Sequence, residues 1–172
     1  RWFLHPTDDE QVARAREIEG QLPIIGPNAP YQGLRFQPLT ASVGYGTLKF
    51  VPEDELATTA LGHDVIVVTD DVPNDISLVG GLITEAFQTP LSHVNLLSRA
   101  RDTPNMALQD ARNARELVGL FGKLVRLEVT SGGFKVQEAK PAEAQAFWEK
   151  RAPDRAPYAP PVDASVRAPV SL

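Results

Sequence analysis

Between about residues 62 and 130, short β-branched runs alternate with segments of helical character, and this alternation constrains the fold more than any other feature. "HDVIVVTD" (63–70) reads as a buried strand, "LVGGLITE" (78–85) as another, and "NMAL" (105–108) as a third. A helix is expected from about Pro90 to Arg101, and "QDARNARELVGLFG" (109–122) has the pattern of a second amphipathic helix. Such alternation calls for an α/β layer. The glycine-bearing "RFQPLTASVGYGTLKFV" (35–51) reads as two strands or one bent strand. "PEDELATT" (52–59) reads as a short helical turn, and "KLVRLEVTSGGFKVQEA" (123–139) as a hairpin turning at Ser131-Gly132-Gly133. These flanking strands predict an antiparallel addition to the layer.

The ends differ in texture from the centre. Thr7, with Glu10 three residues on, forms a capping-box pattern, so a helix is expected from there to Gly20. Residues 21–33 carry three prolines and two glycines and read as an arm. "PAEAQAFWEKR" (141–151) reads as a last helix burying Phe147 and Trp148. From Ala152 onward there are five prolines in 21 residues with few large apolar groups, the texture of a linker. The expected organisation is therefore a helix and arm over 1–33, a domain over 34–138, a helix over 139–151 and a linker over 152–172. Because the chain opens on "RWFLHP" rather than on methionine, it is expected to be a piece of a larger protein.

Composition narrows the function. A net charge of −5 argues against a nucleic-acid surface, which needs clustered Lys and Arg. No apolar run approaches the roughly 20 residues of a membrane-spanning helix. No signal-peptide pattern opens the chain, and a cytoplasmic setting is expected. There is no cysteine, which removes disulfides, thiolate nucleophiles and thiolate zinc sites.

Among three histidines, His93 stands out. Thr89 is a fitting cap and Pro90 a fitting first helical residue, which puts His93 in the first turn. Free backbone N–H groups and the positive end of the helix dipole gather there, a setting for phosphate. A neutral imidazole at that point offers a lone pair for attack on phosphorus. The same residue also reads as packing. At 100° per residue Leu96, Leu97 and Ala100 share its side of the helix, while Asn95, Ser98 and Arg99 face away.

Ser92 lacks the G-x-S-x-G surroundings of a hydrolase nucleophile. His5 reads as an exposed loop residue and His63 as a strand-start residue. "TDD" (69–71) has carboxylates that suit a metal but is also ordinary turn chemistry. Neither a P-loop nor a G-x-G-x-x-G is present, so the chain has no visible nucleotide site of its own.

Taken in order, "ASVGYGTLKF", "HDVIVVTDDVPNDISLVGGLITE", "SHVNLLSR", "TPNMAL" and "GKLVRLEVTSGGFKV" resemble the swivelling phosphohistidine domain of the PEP-utilising enzymes: pyruvate phosphate dikinase, PEP synthase and the glucan, water dikinases. The resemblance runs from about Leu34 to Glu138. It departs where the family has a glycine pair, here Gln88 and Thr89, and where it has a hydroxyl residue, here Leu91. Val94 and Asn95 stand where the family has small residues. A "L-S-H-V" core without the glycines is more similar to the glucan, water dikinase branch.

The resemblance implies a swivelling β/β/α phosphohistidine domain with added N-terminal and C-terminal helices. It implies His93 as the phosphohistidine intermediate, with Thr89, Ser92, Thr84 and Glu85 supporting the phosphate. It further implies that ATP and Mg are bound not here but on an ATP-grasp nucleotide-binding domain of the same chain, C-terminal to this segment. The phosphoryl group then passes to an acceptor such as pyruvate, or water with a glucan. The alternative is a degenerate swivelling module with a packed, non-catalytic His93 that serves contacts between domains.

Overall fold

The computed structural model describes Ala13 and Arg14, both helical, and residues 33–152. The expected N-terminal cap at Thr7, most of the helix and arm of 1–33, His5, and the proline-rich tail beyond Ala152 lie outside the described residues.

The fold is mixed α/β. Seven strands form one sheet: β1 (Phe36–Thr40), β2 (Val43–Phe50), β3 (Val65–Thr69), β4 (Gly81–Thr84), β5 (Asn105–Leu108), β6 (Leu124–Thr130) and β7 (Gly133–Glu138). Their order in space is β1-β5-β4-β3-β2-β6-β7. The central four, β2 to β5, run parallel to one another. β1, β6 and β7 pair antiparallel outside them, so the expected antiparallel addition is present on both sides. β1 and β7 stand at opposite ends of this order, yet Phe36 and Phe134 bring their ring centroids within 5.3 Å of each other. The sheet has therefore curled until it is nearly closed.

Closure divides the apolar residues into two cores. Every residue of β3 is buried, because alternate side chains serve opposite faces. Ile66 and Val68 join Leu48, Ile83, Met106 and Leu127 on the enclosed side. Val65 and Val67 join Leu82, Ile76, Val79 and Val94 on the side covered by the connections. The strand termini obey local chemistry. Pro38, lacking an N–H, sits in the edge strand β1 beside a register shift. Thr130 pairs with Gly133, so the hairpin turns on Ser131 and Gly132, one residue tighter than expected.

Residues 33–152 contain two α-helices, α1 (His93–Ala100) and α2 (Pro141–Arg151). The first is shorter than the expected 90–101. Residues 109–122 correct the sequence reading more strongly: instead of one amphipathic helix they form two single 3-10 turns, Ala111–Asn113 and Val118–Leu120. Asp110 enters the first turn in the left-handed region at φ 54°, where it cannot start an α-helix, and Gly122 at φ 79° closes the segment. Ala111, Ala114 and Leu117 still reach the enclosed core. The burial pattern was real, but it did not require a helix.

α2 also differs in detail. Ala144 is its only fully buried residue, whereas Phe147 and Trp148 are half-buried. Trp148 Nε1 donates to the Tyr45 carbonyl at 3.3 Å, and the Phe147 ring lies 4.9 Å from that of Tyr45. Among the described residues no helix is long and apolar enough to cross a membrane.

Candidate functional site

The loop carrying residues 85–92 leaves the carboxyl end of β4 and delivers the chain into α1. Ser92, not Thr89, is the N-cap of α1: its hydroxyl accepts from Asn95 N at 3.4 Å, and its carbonyl accepts from Asn95 N and Leu96 N at 3.0 Å each. Thr89 sits further out, exposed, with its carbonyl receiving Ser92 N at 3.0 Å. The tight turn 89–92 takes up the residues expected to open the helix.

His93 is consequently the first helical residue. Its side chain is exposed and makes no hydrogen bond or ion pair among the described residues. Among the described residues the backbone N–H groups of His93 and Val94 have no backbone acceptor, as befits a first turn. The imidazole thus stands next in sequence to main-chain donors that no described residue engages.

The helix is rotated from the expected orientation. Val94, Asn95 and Ser98 are buried, whereas Leu96 is 47% exposed and Ala100 is exposed on the side shared with His93. Val94 enters the core beside Leu82, and the polar neighbours are buried because each has a partner. Asn95 Nδ2 donates to the Pro90 carbonyl at 2.6 Å, and its Oδ1 accepts from the Thr40 hydroxyl at 3.2 Å. Ser98 Oγ donates to the Val94 carbonyl at 2.8 Å. A polar face turned inward and satisfied leaves the apolar one, with His93 on it, outside.

Beneath the tip lies a closed amide network. Gln88 is 1% exposed. Its Nε2 donates to Thr84 Oγ1 at 3.0 Å and to Asn105 Oδ1 at 2.9 Å, and Asn105 Nδ2 returns a bond to Gln88 Oε1 at 3.1 Å. The Gln88 main chain is held in the same manner by the Gln37 side chain, at 2.9 Å through its N–H and 2.8 Å through its carbonyl. One residue therefore ties the loop to β1, β4 and β5.

Of the five residues singled out in the sequence, the structure gathers three at the tip: His93, Ser92 and Thr89. Thr84 is fully buried, and its hydroxyl hydrogen is committed to the Ala86 carbonyl at 2.7 Å, so it has no donor left for a phosphate. Glu85 faces Arg112 instead. The guanidinium contacts it at 2.9 Å, Arg112 N donates to its Oε1 at 2.9 Å, and the same guanidinium lies 4.6 Å over the Phe50 ring.

The acidic pair after β3 is turn chemistry. Asp70 accepts from Glu53 N at 2.9 Å, a bond that holds its carboxyl below the usual carboxylate range, and Asp71 accepts from Val72 N at 2.7 Å. Among the described residues no three His, Asp or Glu side chains are grouped to hold a metal ion. Gln88 and Asn105 were missed as a pair. Buried amides 17 residues apart leave no periodic signal, and the sequence marked Gln88 only as standing where the resembled family has glycine.

No family model matches the sequence, and no curated protein matches it significantly.

Proposed function

We propose that this chain is the phosphocarrier domain of a multidomain ATP-dependent dikinase or synthase, with His93 as the phosphoryl acceptor. The observation that carries the proposal is the exposed His93 ring, without a partner among the described residues, at the first position of α1, in a motif resembling the family's Ser/Thr–His helix. In the transfer, a lone pair of the neutral imidazole forms the N–P bond. The bond from phosphorus to the bridging oxygen of the nucleotide breaks, with its electrons remaining on that oxygen, and the other ring nitrogen releases its proton. The free N–H groups of His93 and Val94 and the Ser92 hydroxyl are the donors nearest in sequence to the new negative charge. ATP and magnesium belong to a separate ATP-grasp domain in this reading, and the acceptor is reached by swivelling.

The second reading, a module that serves only contacts between domains, rests on Gln88 in place of a family glycine. Its packed-histidine form has no support from an exposed His93. The inward direction of Gln88, toward Thr84 and Asn105, leaves the helix tip open.

The experiment is phosphorylation with labelled ATP, magnesium and the parent's nucleotide-binding domain. One acid-labile, base-stable phosphate is expected, because protonating the phosphorus-bound nitrogen makes it a good leaving group. His93→Ala should abolish the label, and His5→Ala or His63→Ala should not. Undiminished labelling of the His93→Ala protein, or none in the wild type beside an active partner domain, overturns the reading.

A further inference from the structure

A concavity lies at the opposite end of the sheet from His93. Val43, His63, Gly80 and Pro104 each stand at or just before the start of one of the four parallel strands, and all four line a cavity of about 420 Å³. This is toward the small end of the roughly 300–1,000 Å³ common to ligand pockets. α2 closes one side with Phe147 and Trp148, and the 57%-exposed Leu78 also lines it. The Trp148 ring is met edge-on by His63, with centroids 5.4 Å apart at 87°.

The polar groups of the cavity are not equivalent. Arg151 is committed: Nη1 pairs with the Asp102 carboxylate at 3.2 Å, and Nη2 donates to the carbonyls of Arg101 and Asp102. Its guanidinium lies over Phe147, 5.2 Å from the ring centroid. Arg101 is different. Nη1 donates to the Ile76 carbonyl at 2.9 Å, while Nε and Nη2, the edge that receives a carboxylate two-pronged, make no hydrogen bond among the described residues. Asp102 is offset by Arg151, whereas Arg101, which also borders a neighbouring hollow beside Glu53 and Asp75, makes no ion pair among the described residues and is the cavity's remaining cationic group.

We propose that this cavity binds a small aromatic carboxylate, its ring between the apolar walls beside Trp148 and its carboxylate on the free edge of Arg101. The wall chemistry selects a flat apolar body, because unfilled apolar walls forgo dispersion contacts that a ring restores. The arginine selects a single negative charge. The site involves neither His93 nor its loop, so it stands or falls apart from the phosphocarrier reading.

The test is calorimetric titration of the full chain with 2-naphthoate and with its neutral counterpart, 2-naphthamide. Naphthoate should bind at one site, quench Trp148 emission, and bind at least about tenfold more tightly than the amide, the value of one charge-assisted contact. Arg101→Gln should reduce naphthoate to the affinity of the amide, with its thermal transition recorded to verify folding. Because the two ligands are compared on the wild-type protein, an unfolded variant leaves the test intact. Absence of naphthoate binding, equal affinity for the two ligands, or a folded Arg101→Gln protein with undiminished affinity overturns the proposal.

Discussion

The side-chain amides of Gln88 and Asn105 bond to each other in both directions, Nε2 to Oδ1 at 2.9 Å and Nδ2 to Oε1 at 3.1 Å, in a place almost closed to solvent. This pair joins the loop that presents His93 to the start of β5. Truncating Gln88 to alanine removes the partner of both Asn105 amide atoms and one of the two partners of the Thr84 hydroxyl, and leaves a void. Gln88→Ala is therefore expected to cost about 2–4 kcal/mol in chemical unfolding, with an unchanged denaturant slope. A loss below about 0.5 kcal/mol would show that the network contributes little.

The cap assignment separates two neighbouring hydroxyls. Ser92→Ala should lower stability by about 0.5–1 kcal/mol, the lower part of the usual range because its bond to Asn95 N is long at 3.4 Å. Thr89→Ala, on an exposed side chain outside the helix, should change it by less than about 0.5 kcal/mol. Equal effects in thermal unfolding would return the cap to Thr89.

The turned helix makes an unusual demand. Asn95→Leu places an apolar residue on the buried face, yet it should destabilise by about 1–3 kcal/mol, since the Thr40 hydroxyl and Pro90 carbonyl lose their partner. Leu96→Ser, on the exposed side, should fall within about 0.5 kcal/mol of the wild type. The reverse ranking in urea titrations would mean that α1 packs through its leucines.

His93→Ala should leave the melting temperature close to that of the wild type, because the ring is exposed and has no partner among the described residues. Combined with loss of acid-labile phosphate, that result separates a chemical role from a structural one. A large drop in melting temperature would assign His93 to packing.

Acid should act through Glu116. The Arg35 guanidinium, bonded to it at 3.0 and 3.1 Å, holds its carboxyl at about 2 rather than the usual 4.5, with help from its own backbone N–H and from Arg115. A depressed folded value means that the pair's contribution is fully present above pH 4.5 and is lost as pH falls through about 2. Solvent screening at this partly exposed pair keeps the contribution modest. The Glu116 carboxyl carbon should titrate near 2 by NMR, and Arg35→Gln should return it to the usual range. A normal midpoint in the wild type would remove the ion pair from the acid response.

Much of the fold was legible because its signals are local. β3 is a β-branched run, and so reads as a strand buried on both faces. The hairpin of β6 and β7 is announced by Ser131 and Gly132. What failed was local pattern taken as orientation or length. The leucines of α1 share one stripe, yet Val94, Asn95 and Ser98 are the residues turned inward, since Thr40 and the Pro90 carbonyl offer polar partners that periodicity does not represent. The segment 109–122 buries Ala111, Ala114 and Leu117 at helical spacing, but the extended backbone of Ala114 after the first turn divides it into single turns.

By itself, then, the sequence determined the strand positions, the mixed α/β class and the placing of His93 in a first helical turn, because backbone propensity and side-chain periodicity act over a few residues. Tertiary structure alone decided which side of α1 faces solvent, that Gln88 meets Asn105, and that Phe36 meets Phe134 as the sheet curls. Those outcomes depend on hydrogen-bond partners and packing surfaces that come from residues distant in the chain, and they exist only once the strands have assembled.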